Sequence, residues 1–361
     1  MIVESCKLEN FRNYRSLEIE MHPGTNLFYG DNAQGKTNIL EAVYVCGTTK
    51  SHRGSRDRDM IMFGQEEAHI RIQILKHEAP YRVDMHLKKN RSKGIAINSL
   101  PIRKAGELIG LGNFVFFSPE DLAIVKNGPS ERRRFMDMEL CQMRAGYLHD
   151  LAAYNRILMQ RGQLLKDISE KGIGGETLDV WDEQLIRYGS GLIMERERFT
   201  ALLQQMIEPI HKSISGGREN LEVTYEKNVS PETFAEAVFR NREKDIRTRM
   251  TNCGPHRDDL RLEANGNDLR RYGSQGQVRT AALSLKLAEI ELVRRECADT
   301  PVLMLDDVLS ELDYSRQQYL LESIKDVQTL VTGTGIEGFE KRGFRIDRTF
   351  LVSNGTCKQL M

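Results

Sequence analysis

The sequence predicts an α/β fold, a mixed sheet joined to an antiparallel β region, with a helical arm inserted. Three observations carry this reading. An apolar strand at 25–29 runs into a glycine-rich loop and a helix over 37–46. A second buried strand, 301–305, ends in two aspartates. Between them, 119–213 reads as almost unbroken amphipathic helix.

The elements follow in order. Residues 3–7 and 16–21 alternate as strands around the polar turn Asn10, Phe11, Arg12, Asn13. In the helix after the loop, Ile39, Leu40, Val43 and Tyr44 recur at helical spacing. Ile70, Ile72 and Ile74, then Val83, Met85 and Leu87, then Ile95 and Ile97 alternate as half-buried antiparallel strands do. Residues 113–118 form a compact apolar strand that stops at Pro119. The long helical region is broken at 171–175, which reads as a hairpin tip, and closes at Gly216 and Gly217. A strand at 221–226, a helix at 231–247 and a hairpin at 260–263 with Asn265 and Gly266 follow. Then come a strong helix at 276–295, strands at 301–305 and 328–331, and a final hairpin at 350–353 turning on Asn354 and Gly355. The expected domains are 1–118, a first half carrying the phosphate loop and the β region, 119–215, the arm, and 216–361, a second half.

Composition narrows the function classes. Among 361 residues no apolar run approaches the roughly 20 needed to span a bilayer, and the first residues lack the apolar core of a signal peptide. The six cysteines include no CxxC pair, so reduced thiols are expected. Lys plus Arg equals Asp plus Glu at 52 each, which excludes a uniformly basic coat but not a local basic face.

Gly30, Asp31, Asn32, Ala33, Gln34, Gly35, Lys36 and Thr37 match the phosphate-loop pattern G-x4-G-K-[ST] without deviation. The glycines let backbone amides turn inward on phosphate oxygens, and the following helix aims its dipole at the same place. Lys36 supplies the cation for the β- and γ-phosphates of ATP, and Thr37 a hydroxyl for Mg2+. Asp306, at the end of the apolar strand 302–305, is the expected Mg2+ partner. Asp307 faces the attacking water as base or orienter. Ser274 and Gly276 open a helix and form a second anion site, which makes sense if it caps the γ-phosphate held by another copy of the chain.

With these motifs in place the chain resembles the ABC-type ATPases of DNA repair and chromosome maintenance, and most of all the RecF family, over its whole length. The segments that carry this are NFRNYRSLEIE (10–20), GDNAQGKTN (30–38), SHRGSRDRD (51–59), FSPEDLAIVKNGPSERRRFMD (117–137), GPHRDDL (254–260), GSQGQ (273–277) and LDDVLSELD (305–313). The resemblance implies an ABC-type phosphate-loop ATPase head with an inserted arm, in a cytoplasmic bacterial recombination mediator. It implies ATP-dependent DNA binding, a homodimer closed around ATP, and work with RecR and RecO to load RecA at single-strand gaps. It further implies a weak, DNA-stimulated ATPase that acts as a switch. Asp307 stands where transporter heads carry Glu, and a shorter carboxylate suits slow hydrolysis. Ser310, Glu311, Leu312 and Asp313 form a turn able to cross a dimer interface.

Two other ABC-type machines compete. A transporter's ATP-binding subunit needs far fewer residues between its two anion motifs, and a long-armed SMC-like head needs sustained heptads that 119–213 lacks. Arg12 and Asn13 are expected near the adenosine, and Thr332 near the γ-phosphate. His256 reads either as a structural histidine or as a nucleotide or interface residue. Leu151, Leu158, Leu164 and Leu165 are expected in the arm's core. Of the basic clusters, Lys88, Lys89, Arg91 and Lys93, at a hairpin tip without a local acid, form the best DNA candidate, suited to backbone charge rather than base reading. The clusters at 132–134 and 240–242 read as solvated faces.

Overall fold

The computed structural model describes residues 1–172, 175–336, 339 and 343–360, and of Ser310 and Glu311 only the backbone. The centre of the expected arm tip, Ile173 and Gly174, therefore lies outside the described residues, as do the side chains of Ser310 and Glu311 in the expected interface turn. Contacts divide the chain into two units, Met1–Asp121 with Leu283–Met361, and Leu122–Ala282.

The first unit opens with β1 (Ile2–Phe11), β2 (Tyr14–Glu20) and β3 (Thr25–Tyr29), then α1 (Lys36–Thr48). Next come β4 (Glu67–Lys76), β5 (Ala79–Lys88), β6 (Arg91–Ile97), β7 (Leu100–Pro101) and β8 (Phe114–Phe117). One antiparallel sheet has the order β2-β1-β4-β5-β6-β7. The alternation read from sequence sets its faces: Ile70, Ile72 and Ile74 are buried, and the residues between them turn to the other side. β1 runs to Phe11 rather than stopping near Lys7, because pairing with β2 continues through Leu8 and Glu9 to Phe11, with a left-handed residue at Asn10 (φ 51°) that returns Phe11 to the buried side.

The second unit holds α2 (Leu122–Lys126), α3 (Pro129–Met143), α4 (Ala145–Lys171), α5 (Leu178–Ile214), β9 (Leu221–Glu226), α6 (Phe234–Thr248), β10 (Asp259–Ala264), β11 (Asn267–Asp268) and α7 (Leu269–Tyr272). The first part of α8 (Gln275–Cys297) belongs to it as well. The expected boundary at 215/216 is not where contacts divide the chain. β9 is tied to α5, since Val223 N–H donates to Gln204 Oε1 at 2.7 Å, and β10 and β11 extend the same sheet.

The arm's buried stripe is Ala153, Tyr154, Ile157, Arg161 and Leu165, whereas Leu151, Leu158 and Leu164 are only half-buried. Hydropathy alone misassigns the stripe because its centre is an arginine. Arg161 is fully buried and reaches Asp182 at 2.7 Å and Asp245 at 2.8 Å, which neutralise it.

The chain ends with β12 (Val302–Leu305), α9 (Tyr314–Ser323), β13 (Thr329–Gly333), β14 (Arg348–Ser353) and β15 (Thr356–Gln359). The central sheet runs β15-β14-β3-β13-β12-β8. β3 lies parallel between β13 and β14, and β12 parallel between β13 and β8. Parallel strands covered on both faces read as continuous apolar runs, as Val302, Leu303, Met304 and Leu305 do. α1 is buried on nearly every side from Ile39 to Thr48, so its apolar stripe understates its burial. Among the described residues no helix is long and apolar enough to cross a membrane.

Candidate nucleotide site

β3 delivers the chain into the loop 30–37 with left-handed backbone at Gly30 (φ 149°), Ala33 (φ 63°) and Gly35 (φ 111°). Left-handed residues interspersed in a loop let successive amides turn to the same side, as an anion cradle requires. Two of the glycines are also required by contact. A Cβ on Gly30 would lie 2.2 Å from Val352 O, and one on Gly35 2.4 Å from Asn13 Nδ2. Asn13 Nδ2 donates to Gln34 O at 2.8 Å, and Asn354 N–H donates to Gln34 Oε1 at 2.6 Å. The β1–β2 turn and the β14–β15 turn therefore clamp the loop between them.

Lys36, a residue only 4% exposed, donates through Nζ to Gly30 O at 2.6 Å and Asp31 O at 3.0 Å. The ammonium is thus held against the inner wall of the cradle. At the head of α1, Thr37 Oγ1 donates to Asp306 Oδ1 at 2.8 Å, across 269 residues of sequence. Thr332 Oγ1, from the end of β13, donates to the same carboxylate oxygen at 2.9 Å and accepts the Asp307 N–H at 2.9 Å. Parallel pairing of β12 with β13, and of β13 with β3, brings these strand ends to one edge of the sheet.

Burial raises the Asp306 carboxyl above the usual aspartate range, and the Asp307 charge adds to this. The Thr37 and Thr332 hydroxyls and the Arg53 charge work against it. Asp307 follows in left-handed backbone at φ 53°, a strained conformation for a non-glycine residue. A hydroxyl beside a carboxylate offers the hard oxygen donors that Mg2+ selects, so Thr37 and Asp306 fit that ion.

The raised Asp306 value gives a signed expectation. A carboxyl whose folded-state pKa lies above its unfolded value costs stability once ionised. That cost appears as pH rises past the ordinary value of 3.8 and is fully present above the raised folded value. Asp306→Asn keeps an oxygen for both hydroxyls. It should raise the neutral-pH melting temperature of nucleotide-free protein and abolish the further rise that Mg2+ gives over ATP alone. Thermal unfolding in EDTA and in Mg2+ reads both, and a lowered midpoint in EDTA would contradict the assignment.

Arg12, expected near the adenosine, is held in place by acceptors of its own chain. Its guanidinium donates to both Glu41 carboxylate oxygens at 2.8 Å, to Asp59 O and to Ser55 Oγ. Burial alone would push the Glu41 carboxyl up, but the bonds from Arg12 and Ser51 bring it below its usual range. Arg12 therefore ties the β1–β2 turn to α1, while Asn13 reaches the loop itself. Arg53, within the segment SHRGSRDRD, lies close enough to act on Asp306.

The segment expected to form a second anion site belongs to the other unit. Ser274 is exposed and starts α8 with reciprocal bonds: its N–H donates to Gln277 Oε1 at 3.0 Å, and Gln277 N–H donates to Ser274 Oγ at 3.2 Å. This is a capping box, closed by Gln. The hydroxyl accepts in it and keeps its own hydrogen to donate. Gly276, two residues after the cap residue, is half-buried.

Other expectations resolve plainly. His256 Nε2 bonds Thr251 O at 3.0 Å, so that nitrogen carries the proton, and Nδ1 accepts from Tyr154 O–H at 2.7 Å. Burial pushes its pKa down, which fits a neutral structural histidine. Arg132 is buried and bidentate on Asp259 at 2.7 and 2.8 Å, and Arg242 pairs with Asp179 and Asp182, so neither is a freely solvated charge. At the β5–β6 tip, acids arrive through space. Lys89 pairs with Glu66 at 3.0 Å and Lys93 with Asp57 at 2.9 Å.

The comparisons with known proteins place the chain in one family and show its fold. The family model described as the RecF/RecN/SMC N terminal domain matches residues 2–356. The DNA replication and repair protein RecF of Lachnoclostridium phytofermentans is 55% identical over 359 residues, covering 99% of this chain and 100% of that protein. RecF of Clostridium perfringens is 44% identical over 98% of this chain and 99% of its own length. Among solved structures, the recombination mediator protein RecF-ATP of the RecFOR pathway superposes with TM-score 0.93 at 34% identity, covering 99% of this chain and 97% of that one. An Smc head domain from Pyrococcus furiosus, at 17% identity and TM-score 0.58 over 99% of this chain and 95% of its own, shares the fold.

Proposed function

The chain belongs to the RecF family of SMC-like ATPases, and on that premise we propose that it is an ATP-driven DNA clamp of replication and recombinational repair. In this reading two copies close on ATP at junctions of duplex and single-strand gap, in the cytoplasm, and act with RecR and RecO to load RecA. The observation that supports it best is a divided chemistry. Lys36, Thr37, Asp306 and Thr332 meet in one unit, while the exposed anion-capable cap at Ser274 belongs to the other.

Within one copy, the 30–37 amides and Lys36 hold the phosphates, and Thr37 and Asp306 hold Mg2+, which neutralises phosphate charge when bound. Asp307 orients the water. Thr332, bonded to both Asp306 and the Asp307 amide, senses whether the γ-phosphate is present. Ser274 and Gly276 of a second copy cap that phosphate, so ATP closes the dimer and ADP does not. Slow hydrolysis then times its opening.

Sedimentation with no nucleotide, with ATP and with ADP, each with and without gapped DNA, tests this. Dimers should form in ATP alone and persist on gapped DNA. Equal dimerisation in ADP would defeat the clamp reading.

DNA contact is expected at the β5–β6 tip, through Lys88 and Arg91. Lys89 and Lys93 are already paired, so the double change Lys88→Ala, Arg91→Ala should lower the log–log salt slope of duplex binding by about 2, at roughly 0.9 per phosphate contact. Fluorescence anisotropy across a salt series measures it. An unchanged slope would leave the tip a solvated turn.

A further inference from the structure

Away from the phosphate loop, one face of the antiparallel sheet gathers Glu67, His69 and His86. Glu67 and His69 stand two residues apart on β4 and so share a face, and His86 lies directly opposite His69 on β5. The two imidazoles stack with centroids 3.9 Å apart. Both Nε2 atoms turn to the same carboxylate, His86 at 2.9 Å from Oε2 and His69 at 3.9 Å from Oε1. One ligand atom from each of the three lies within 4.8 Å of the other two.

We propose that Glu67, His69 and His86 bind a divalent transition-metal ion of the Zn2+ class, bridging β4 and β5. Two imidazoles and a carboxylate form a mixed nitrogen and oxygen donor set, which suits Zn2+ rather than Mg2+ or Ca2+. Bonds of about 2.0–2.1 Å in a tetrahedron put donors about 3.3 Å apart. The His86–Glu67 pair is already inside that distance, and the His69–Glu67 pair exceeds it by an amount that side-chain torsions supply.

The surroundings leave room for a cation. Arg71 is paired with Asp84 at 2.5 Å and Lys7 with Glu18 at 3.4 Å, so these two carry their own counter-charges, while Lys88, opposite Glu67, is the basic group an ion would compete with. Glu9 on β1 stands opposite His69 and offers a further carboxylate on the same face. Gly94 on β6 stands opposite His86, and a Cβ there would meet only His86 Cβ, at 3.9 Å. The missing side chain helps to open a pocket of ≈320 Å³ over the rings, reachable from solvent. The donors sit on paired strands, which hold them more precisely than loops would. An ion here would pin the base of the hairpin whose tip carries Lys88 and Arg91.

The test is calorimetric titration of the EDTA-stripped full chain with Zn2+ alone, without nucleotide, which leaves the phosphate-loop reading untouched. One ion should bind per chain. His69→Gln and His86→Gln should each weaken binding by more than the roughly 10–100-fold that loss of an outer-shell partner costs. Glu67→Gln, which leaves both rings in place, should do the same, and all three variants should match the parent's thermal unfolding in EDTA. Co2+ should give visible d–d bands without the thiolate charge-transfer band that a cysteine site produces. No stoichiometric binding, parent affinity in all three variants, or a thiolate band would each overturn the proposal.

Discussion

Lys36→Ala protein is expected to bind ATP at least about 10–100-fold more weakly, since hydrogen bonds to charged groups contribute roughly 1.5–3 kcal/mol. Hydrolysis should fall below detection, because Lys36 is the loop's own cation and the phosphates lose their charge partner inside a buried cradle. The structure adds a second effect. Lys36 Nζ also satisfies Gly30 O and Asp31 O, so its removal orphans two loop carbonyls and should lower the melting temperature even without nucleotide. Equilibrium binding of a fluorescent ATP analogue, with thermal unfolding alongside, separates the two effects. Turnover at the parent rate would show that the phosphates bind elsewhere.

Ser274→Arg is expected to abolish ATP-dependent dimerisation and hydrolysis together, while the monomer still binds ATP with near-parent affinity. The substitution puts bulk into the proposed closing surface, but it also removes a helix cap worth about 1 kcal/mol. Ser274→Asp separates the causes. Aspartate caps α8 as well as serine does, yet it sets a carboxylate against the incoming γ-phosphate. Like charges brought together across an interface cost several kcal/mol, so the dimer should weaken by roughly 100-fold or more. If Ser274→Asp sediments as a normal dimer in ATP, the motif is a cap and nothing more.

Most of this architecture is written locally. The phosphate loop, the double aspartate after an apolar run, the period-two strands and the Asn-Gly turns each occupy a handful of adjacent residues. The edge of the sheet where Thr37, Asp306 and Thr332 meet follows once the strands are taken as parallel. What escaped depends on partners far away in sequence. Lys89 and Lys93 look free until Glu66 and Asp57 arrive from other segments, and Arg12 looks available until Glu41 claims it. Alternation assigned β4 and β5 their faces but not their register, and only register sets His69 on His86. Arg161 at the centre of a buried stripe is invisible to hydropathy because its neutralising carboxylates lie on α5 and α6.

The sheet order has a consequence for how the chain is made. Among the described residues β3 pairs with β13 and β14 alone, and these emerge from the ribosome about 300 residues later. At about 5–20 residues per second, that is a delay of roughly 15–60 s. During it the apolar β3 and the phosphate loop have no sheet to join, and Val352 and Asn354, which hold the loop, do not yet exist. The contiguous stretch 122–282, by contrast, is complete well before then. Nascent chains stalled before β13 should therefore fail to retain ATP while their helical unit already resists protease. On the proposed site, competence to bind nucleotide should arrive only with β13 to β15, and a truncated product of interrupted translation should fail to occupy an ATP-bound state.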